Sequence, residues 1–215
     1  FGTIDNNIDG TLINDGTIEN FSTINNFGSI TIDNNDGIID NNGIIDNNID
    51  GTLINDGIID NNIDGIIDNE GTIDNFNIIN NFGIIAIDNN DGTLINEGTI
   101  DNNGGIIDNE GTIENFSIID NFGSIINNGE INNDGTLNND GTIDNTIDGT
   151  LNNEDTLNND GIIFNNGTLN NDGTIHINDG SIENGGTLNN DGTIHNNGGT
   201  LNNDGTLNND GIILY

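Results

Sequence analysis

Gly199-Thr200-Leu201-Asn202-Asn203-Asp204 is followed at once by Gly205-Thr206-Leu207-Asn208-Asn209-Asp210, the same six residue types in the same order. The unit they share, G-[T/I/S]-[I/L]-x-N-x, already opens the chain at Gly2-Thr3-Ile4-Asp5-Asn6-Asn7 and fills almost everything between. A helix cannot carry it. Glycine in a helix interior costs about 1 kcal/mol, Asn and Asp compete with the backbone for hydrogen bonds, and a period of six does not match 3.6. A strand can. Thr-Ile-x is a short β-forming stretch, and Asn-x-Gly is turn chemistry that tolerates positive φ. Each unit therefore reads as one strand and one corner.

One unit buries a single aliphatic side chain, too little to fold alone, so the units must stack in register and merge their Ile and Leu residues into columns. The fold class expected is all-β, a single-chain parallel β-solenoid over residues 1–215 with no internal domain boundary. Alternation sets the faces. With Ile or Leu at unit position 3 pointing in, positions 2 and 4 point out. Position 5 shares the inward parity. Asn139, Asn159, Asn171, Asn190, Asn203 and Asn209 are read as ladder residues, each amide bonded to its copy on the next turn, as in stacked cross-β amides.

Units per turn are harder to read. Hexapeptide spacing suggests three. The history of duplication suggests two, and two is preferred. The block Gly16–Asp36 recurs at Gly71–Asp91, but the two units Gly37–Asp50 have no counterpart after the second copy. Gain or loss of two units keeps every residue on its face only if two units make a turn. Some units are longer, with an extra Ile-Asp at Ile8-Asp9, Ile49-Asp50 and Ile63-Asp64, and three extra residues within Gly83–Asp91. These are expected to bulge at corners.

Composition excludes several functions. The chain has 215 residues, a formal net charge of −37, and no Lys, Arg, Pro, Cys, Met or Trp. Nucleic-acid binding needs cations to displace counterions from phosphate. An anionic membrane surface repels such a chain, and no apolar run approaches the roughly 20 residues of a membrane span. Without cysteine there is no disulfide framework or thiol chemistry. No catalytic constellation is evident: Ser22, Ser29, Ser117, Ser124 and Ser181 have no plausible base, and carboxylate pairs are too common to mark a site. No enzyme is expected.

Asn196-Asn197-Gly198-Gly199-Thr200-Leu201-Asn202-Asn203 resembles the Asn-Gly-Gly-Thr-Leu runs of filamentous-haemagglutinin-type exoprotein stalks. The units here are shorter and more uniform and lack the Ala positions and basic residues of those stalks. The resemblance implies an elongated, secreted, right-handed parallel β-helix at a cell surface. The chain opens on Phe1 rather than Met, which is compatible with a removed signal peptide or with a piece of a longer chain.

Four groups of residues are candidates for function. Asp140, Asp160, Asp172, Asp191, Asp204 and Asp210 end their units. Stacked Asp columns repel, and calcium, which takes carboxylate and carbonyl oxygens, would relieve them. A solvated acidic face with diffuse cations is the other reading, and no cofactor is required. Phe21/Phe27, Phe76/Phe82 and Phe116/Phe122 are pairs six apart at unit position 6, read either as interface rings that recur in columns or as local packing under a corner loop. Ile38, Ile44, Ile58, Ile66, Ile84 and Ile106 stand at outward position 2 and give the first half an apolar surface, unless parity shifts in those units. His176 and His195 are plain surface histidines at outward position 4.

Asn20, Asn115 and Asn166 begin glycosylation-type triplets that an inward Asn could not use. The ends, Phe1 with Gly2-Thr3-Ile4 and Gly211-Ile212-Ile213-Leu214-Tyr215, show no polar cap. Uncapped strands invite head-to-tail stacking into a fibre. The partners expected are copies of the chain itself, and the function expected is a subunit of an extracellular filament. A stalk segment of a calcium-stabilised surface adhesin is the alternative. An ice-binding solenoid, suggested by outward Thr such as Thr136, Thr142 and Thr150, ranks third.

Overall fold

The computed structural model describes residues 3–7, 10–32, 37–48, 51–88 and 92–215. Within them almost every unit is one four-residue strand, and the strands form three parallel sheets of eleven strands each. The first sheet starts at Ile4–Asn6, the second at Thr11–Asn14 and the third at Thr17–Asn20. Every strand pairs with the third strand after it, as Ile113 does with Ile131 and Leu137 with Leu157. The chain is thus a three-sided β-solenoid, with the first, second and third corners following the sheets of the same rank.

Three units make a turn, not the preferred two. The duplicated block shows why the argument for two fails. Thr17–Asn20, its first strand, lies in the third sheet, and the corresponding Thr72–Asn75 lies in the second. The copy is rotated onto another face. That costs nothing, because all three faces offer the same inward pair, an aliphatic residue and an amide. The core does not record which face a block occupies.

Parity holds along the whole rod. Most strands alternate half-buried and buried residues. The inward Ile and Leu, from Ile24 to Ile194, are almost completely buried in one continuous column. Each removes roughly 1.5–3 kcal/mol worth of side chain from water. In the Gly-Ile-Ile units the second Ile (Ile39, Ile45, Ile59, Ile67, Ile85, Ile107) is the buried one. Outward Ile at position 2 is therefore real and not a shift of parity.

Glycine at the corners serves close approach rather than left-handed backbone. Among the described residues only Gly104 and Gly198 have positive φ. At Gly141, by contrast, an added Cβ would lie 2.1 Å from the carbonyl oxygen of Gly123 one turn earlier. The backbone there carries the stacking, with the amide of Thr142 donating to the same oxygen at 3.0 Å. The insertion at Ile63-Asp64 does bulge at a corner, with Ile63 exposed, and Ile147-Asp148 repeats it after Thr146. Ile8-Asp9, Ile49-Asp50 and Asn89 to Asp91 lie outside the described residues, as does Phe1.

Candidate functional surfaces

The most regular chemistry is inside. Asn139 donates its Nδ2 to Asn159 Oδ1 at 2.7 Å, Asn171 to Asn190 at 2.7 Å, and Asn190 to Asn209 at 2.6 Å, while Asn203 accepts from Asn184 at 2.5 Å. All six expected ladder residues sit in ladders, one ladder per sheet. Every inner amide-to-amide bond runs toward the later turn. Outside, the direction reverses: Asn152 donates to Asn132, Asn170 to Asn152, Asn189 to Asn170 and Asn208 to Asn189, each at 2.8 Å.

These two directions account for every buried side-chain oxygen without a partner among the described residues: those of Asp101, Asp108, Asn109 and Asn196. An inner oxygen needs an amide on the turn before it. Asn109 follows Ile87, and Asn196 follows Ile177. An outer oxygen needs an amide on the turn after it. Asp101 is followed by Asp120, and Asp108 by Ile126. Ile32 also interrupts an inner ladder, but Asn55 on the next turn accepts instead from the backbone amide of Gly57 at 3.2 Å.

The acidic residues do not form one column. Asp172, Asp191 and Asp210 line a groove on the second corner beside the outer Asn column. Asp140 and Asp160 line another on the third corner, and Asp204 lies on the first. Among the described residues no three acidic or histidine side chains come together as a metal site would require. Carboxylates do stack elsewhere, since Asp46 is in register with Asp68 and Asp40 with Asp60. Burial, and then Asp88 and Asp46, push the Asp68 carboxyl above its ordinary value. Asp74 is raised in the same way by burial and by Glu97.

Phe21, Phe27, Phe76, Phe82, Phe116 and Phe122 are all exposed, so none packs beneath a corner loop. The expectation of columns needs correction, because residues six apart occupy successive corners. Phe21 lies on the third corner and Phe27 on the first. Neither has a ring on the next turn, where Asn42 follows Phe21 and Asn48 follows Phe27. The backbone amide of Phe27 donates to the Asn6 carbonyl at 2.8 Å, so its part in the stacking is that of any corner residue. The other two pairs do recur. Phe76 and Phe116 share the second corner, and Phe82 and Phe122 share the third.

The outward Ile gather on two faces. Ile44, Ile66, Ile84 and Ile106 stack on the first sheet, and Ile38, Ile58 and Ile78 on the third. Thr136, Thr142 and Thr150 fall on three different sheets. The second sheet, however, carries Thr at every turn of its first outward column except at Ser29 and Glu130.

His176 and His195 are one turn apart with rings stacked at 5.1 Å. Nineteen positions of sequence hide that neighbourhood until the turn length is known. Asn20 and Asn115 are buried ladder amides, whereas Asn166 is exposed. Ile212 and Leu214 are exposed, Ile213 packs partly against the core, and Tyr215 is open to solvent.

No protein-family model, curated protein or solved structure matches the chain.

Proposed function

We propose that this β-solenoid repeat protein is structural, a rod that stacks end to end on copies of itself into an extracellular filament. One observation carries the reading. Successive turns are held by the same backbone pairing from one end of the described rod to the other, with inner amide pairs added except where Ile32, Ile87 and Ile177 replace Asn, so a turn donated by another copy meets the same backbone edge as a turn of the same chain. Such a contact is heterologous and open-ended. The inner amide-to-amide bonds all run toward later turns, so the only joint that pairs amide nitrogen with amide oxygen is head-to-tail. The resemblance to exoprotein stalk repeats and the absence of any Lys or Arg for trypsin-like proteases support a place outside the cell. The charge of −37 keeps neighbouring rods apart at low salt.

Electron microscopy of the purified 215-residue chain at neutral pH, with and without calcium, tests this. Long fibres one solenoid wide are expected. Discrete short rods in both conditions overturn the filament reading and leave a stalk segment. Fibres that need calcium would make the acidic grooves part of the joint.

The Thr column of the second sheet favours a second reading, ice binding. A thermal-hysteresis measurement tests it, and no hysteresis at high protein concentration removes it.

A further inference from the structure

We propose that the third-sheet face between Phe76 and Phe122 docks a lysine- and arginine-rich peptide segment of a partner protein. Four rings frame this face, Phe76 and Phe116 along its second-corner edge and Phe82 and Phe122 along its third-corner edge. They are 46%, 49%, 43% and 54% exposed. On each edge the two rings stand two turns apart, which at the usual strand spacing is roughly 9.5 Å. Between them, Asp101 and Asp120 stack in register on adjacent turns, and one Asp101 oxygen has no donor. The four rings are aromatic surface that the core does not use.

Charge decides what lies on it. The chain has no Lys or Arg and only two His against 37 Asp and Glu, so a second copy would bring carboxylates against carboxylates. A basic segment meets both halves of the face. Ammonium and guanidinium groups pair with Asp101 and Asp120, while guanidinium planes and methylene stems lie over the rings. Elsewhere the rings are fewer: the first-corner groove at Asp204 has one ring, Phe164, beside Glu183. The second-corner groove at Asp172, Asp191 and Asp210 has carboxylates and no ring. The proposal is independent of the filament reading, because the face lies on the side of the rod.

The test is fluorescence polarisation of a labelled oligoarginine peptide against the full chain. One variant carries Phe→Asn at 76, 82, 116 and 122, copying Asn103, which occupies the third corner between Phe82 and Phe122. A second carries Asp101→Asn and Asp120→Asn, copying Asn80 and Asn138 in the same outward column. A third, Asp172→Asn with Asp191→Asn, removes equal charge from the ring-free groove. Circular dichroism checks that all three keep their strands. Each ring is expected to contribute about two- to fivefold in affinity, and each carboxylate of the framed face a similar factor. The Asp172/Asp191 variant is expected to bind within about twofold of the parent. Equal losses in the two Asp variants, or no loss in the Phe variant, would mean diffuse attraction to an acidic rod and overturn the site. Lateral dimers of the parent that the Phe variant abolishes would make a second copy the occupant and also overturn it.

Discussion

Replacing Asn139 by alanine removes three hydrogen bonds from the third-sheet ladder. Its Nδ2 donates to Asn159 Oδ1 at 2.7 Å and to the Ile162 carbonyl at 3.2 Å, and its Oδ1 accepts from Asn121 Nδ2 at 2.7 Å. Asn121 keeps a second acceptor, the Thr142 carbonyl at 3.0 Å. Asn159 Oδ1 keeps no donor, and a buried orphan of this kind costs about 1–3 kcal/mol. The other two bonds add about 1 kcal/mol each, so Asn139→Ala is expected to lose about 3–5 kcal/mol.

Asn139→Ile creates the same orphan but fills the space with apolar surface worth about 1.5–3 kcal/mol. Its expected net loss is about 2 kcal/mol, the difference of the two mid-range values. The chain makes this exchange itself at Ile32, Ile87 and Ile177, all buried in amide columns. Urea unfolding followed by circular dichroism gives the ranking. Hydrogen exchange gives the location, since solenoid stability is close to a sum of neighbour terms and the strands around Asn139 are expected to open first. An alanine variant within about 1 kcal/mol of the parent would refute the claim that side-chain amides hold the turns together. An isoleucine variant worse than alanine would refute the compensation argument.

Two further perturbations separate local causes. Gly185 and Gly186 are adjacent, yet an added Cβ at Gly186 would lie 2.2 Å from the Gly167 carbonyl oxygen, while at Gly185 the nearest atom is the side-chain oxygen of Asn166 at 3.0 Å. Gly186→Ala is expected to lose about 1–3 kcal/mol and Gly185→Ala to be neutral or to gain up to about 1 kcal/mol, read by thermal unfolding of the two single variants. Asp68 has a folded pKa raised above 3.8 by burial, Asp88 and Asp46, so the folded chain holds that proton more tightly than the unfolded chain. Its contribution is greatest at low pH and is lost as pH rises through the folded value. Melting temperature is therefore expected to rise as pH falls from neutral into the carboxylate range. Asp68→Asn, whose amide can donate to Asp46 as Asn80 does to Asp60, is expected to gain about 1 kcal/mol at neutral pH and to flatten that rise. A melting temperature that falls on acidification in both proteins would overturn the repulsion argument.

Much of the fold was legible because the six-residue unit constrains itself locally. The aliphatic residue at position 3, such as Leu157 or Ile175, can point only inward once Thr156 and Thr174 point out, and Asn159 follows by parity. The ladder amides and the outward Ile were readable from one unit at a time, whereas the Phe rings were left open between exposure and packing under a corner loop. Glycine was misread in part. Its role at Gly141 and Gly186 is to let one turn approach another, a contact with a residue about 18 positions away that no local turn rule describes.

The surfaces were not legible, and the reason is a single integer. Which side chains share a corner depends on units per turn, and the core is blind to that number because every face offers it the same aliphatic residue and amide. With three units, Phe76 and Phe82 fall on opposite edges of one sheet, while Phe76 and Phe116 share an edge although forty positions separate them in the sequence. The same integer leaves Phe21 and Phe27 on different corners without a ring above either, divides the six Asp among three corners, and brings the two His rings into contact. A chain built this way can duplicate blocks of any whole number of units without disturbing its interior, and each duplication redistributes its exterior. The inner ladder then fixes stability and axial direction, and the outer columns are free to vary. That division is why the rings and carboxylates of the third-sheet face can coincide over turns four to six, while the second half of the same solenoid presents Asn and Thr on an unchanged core.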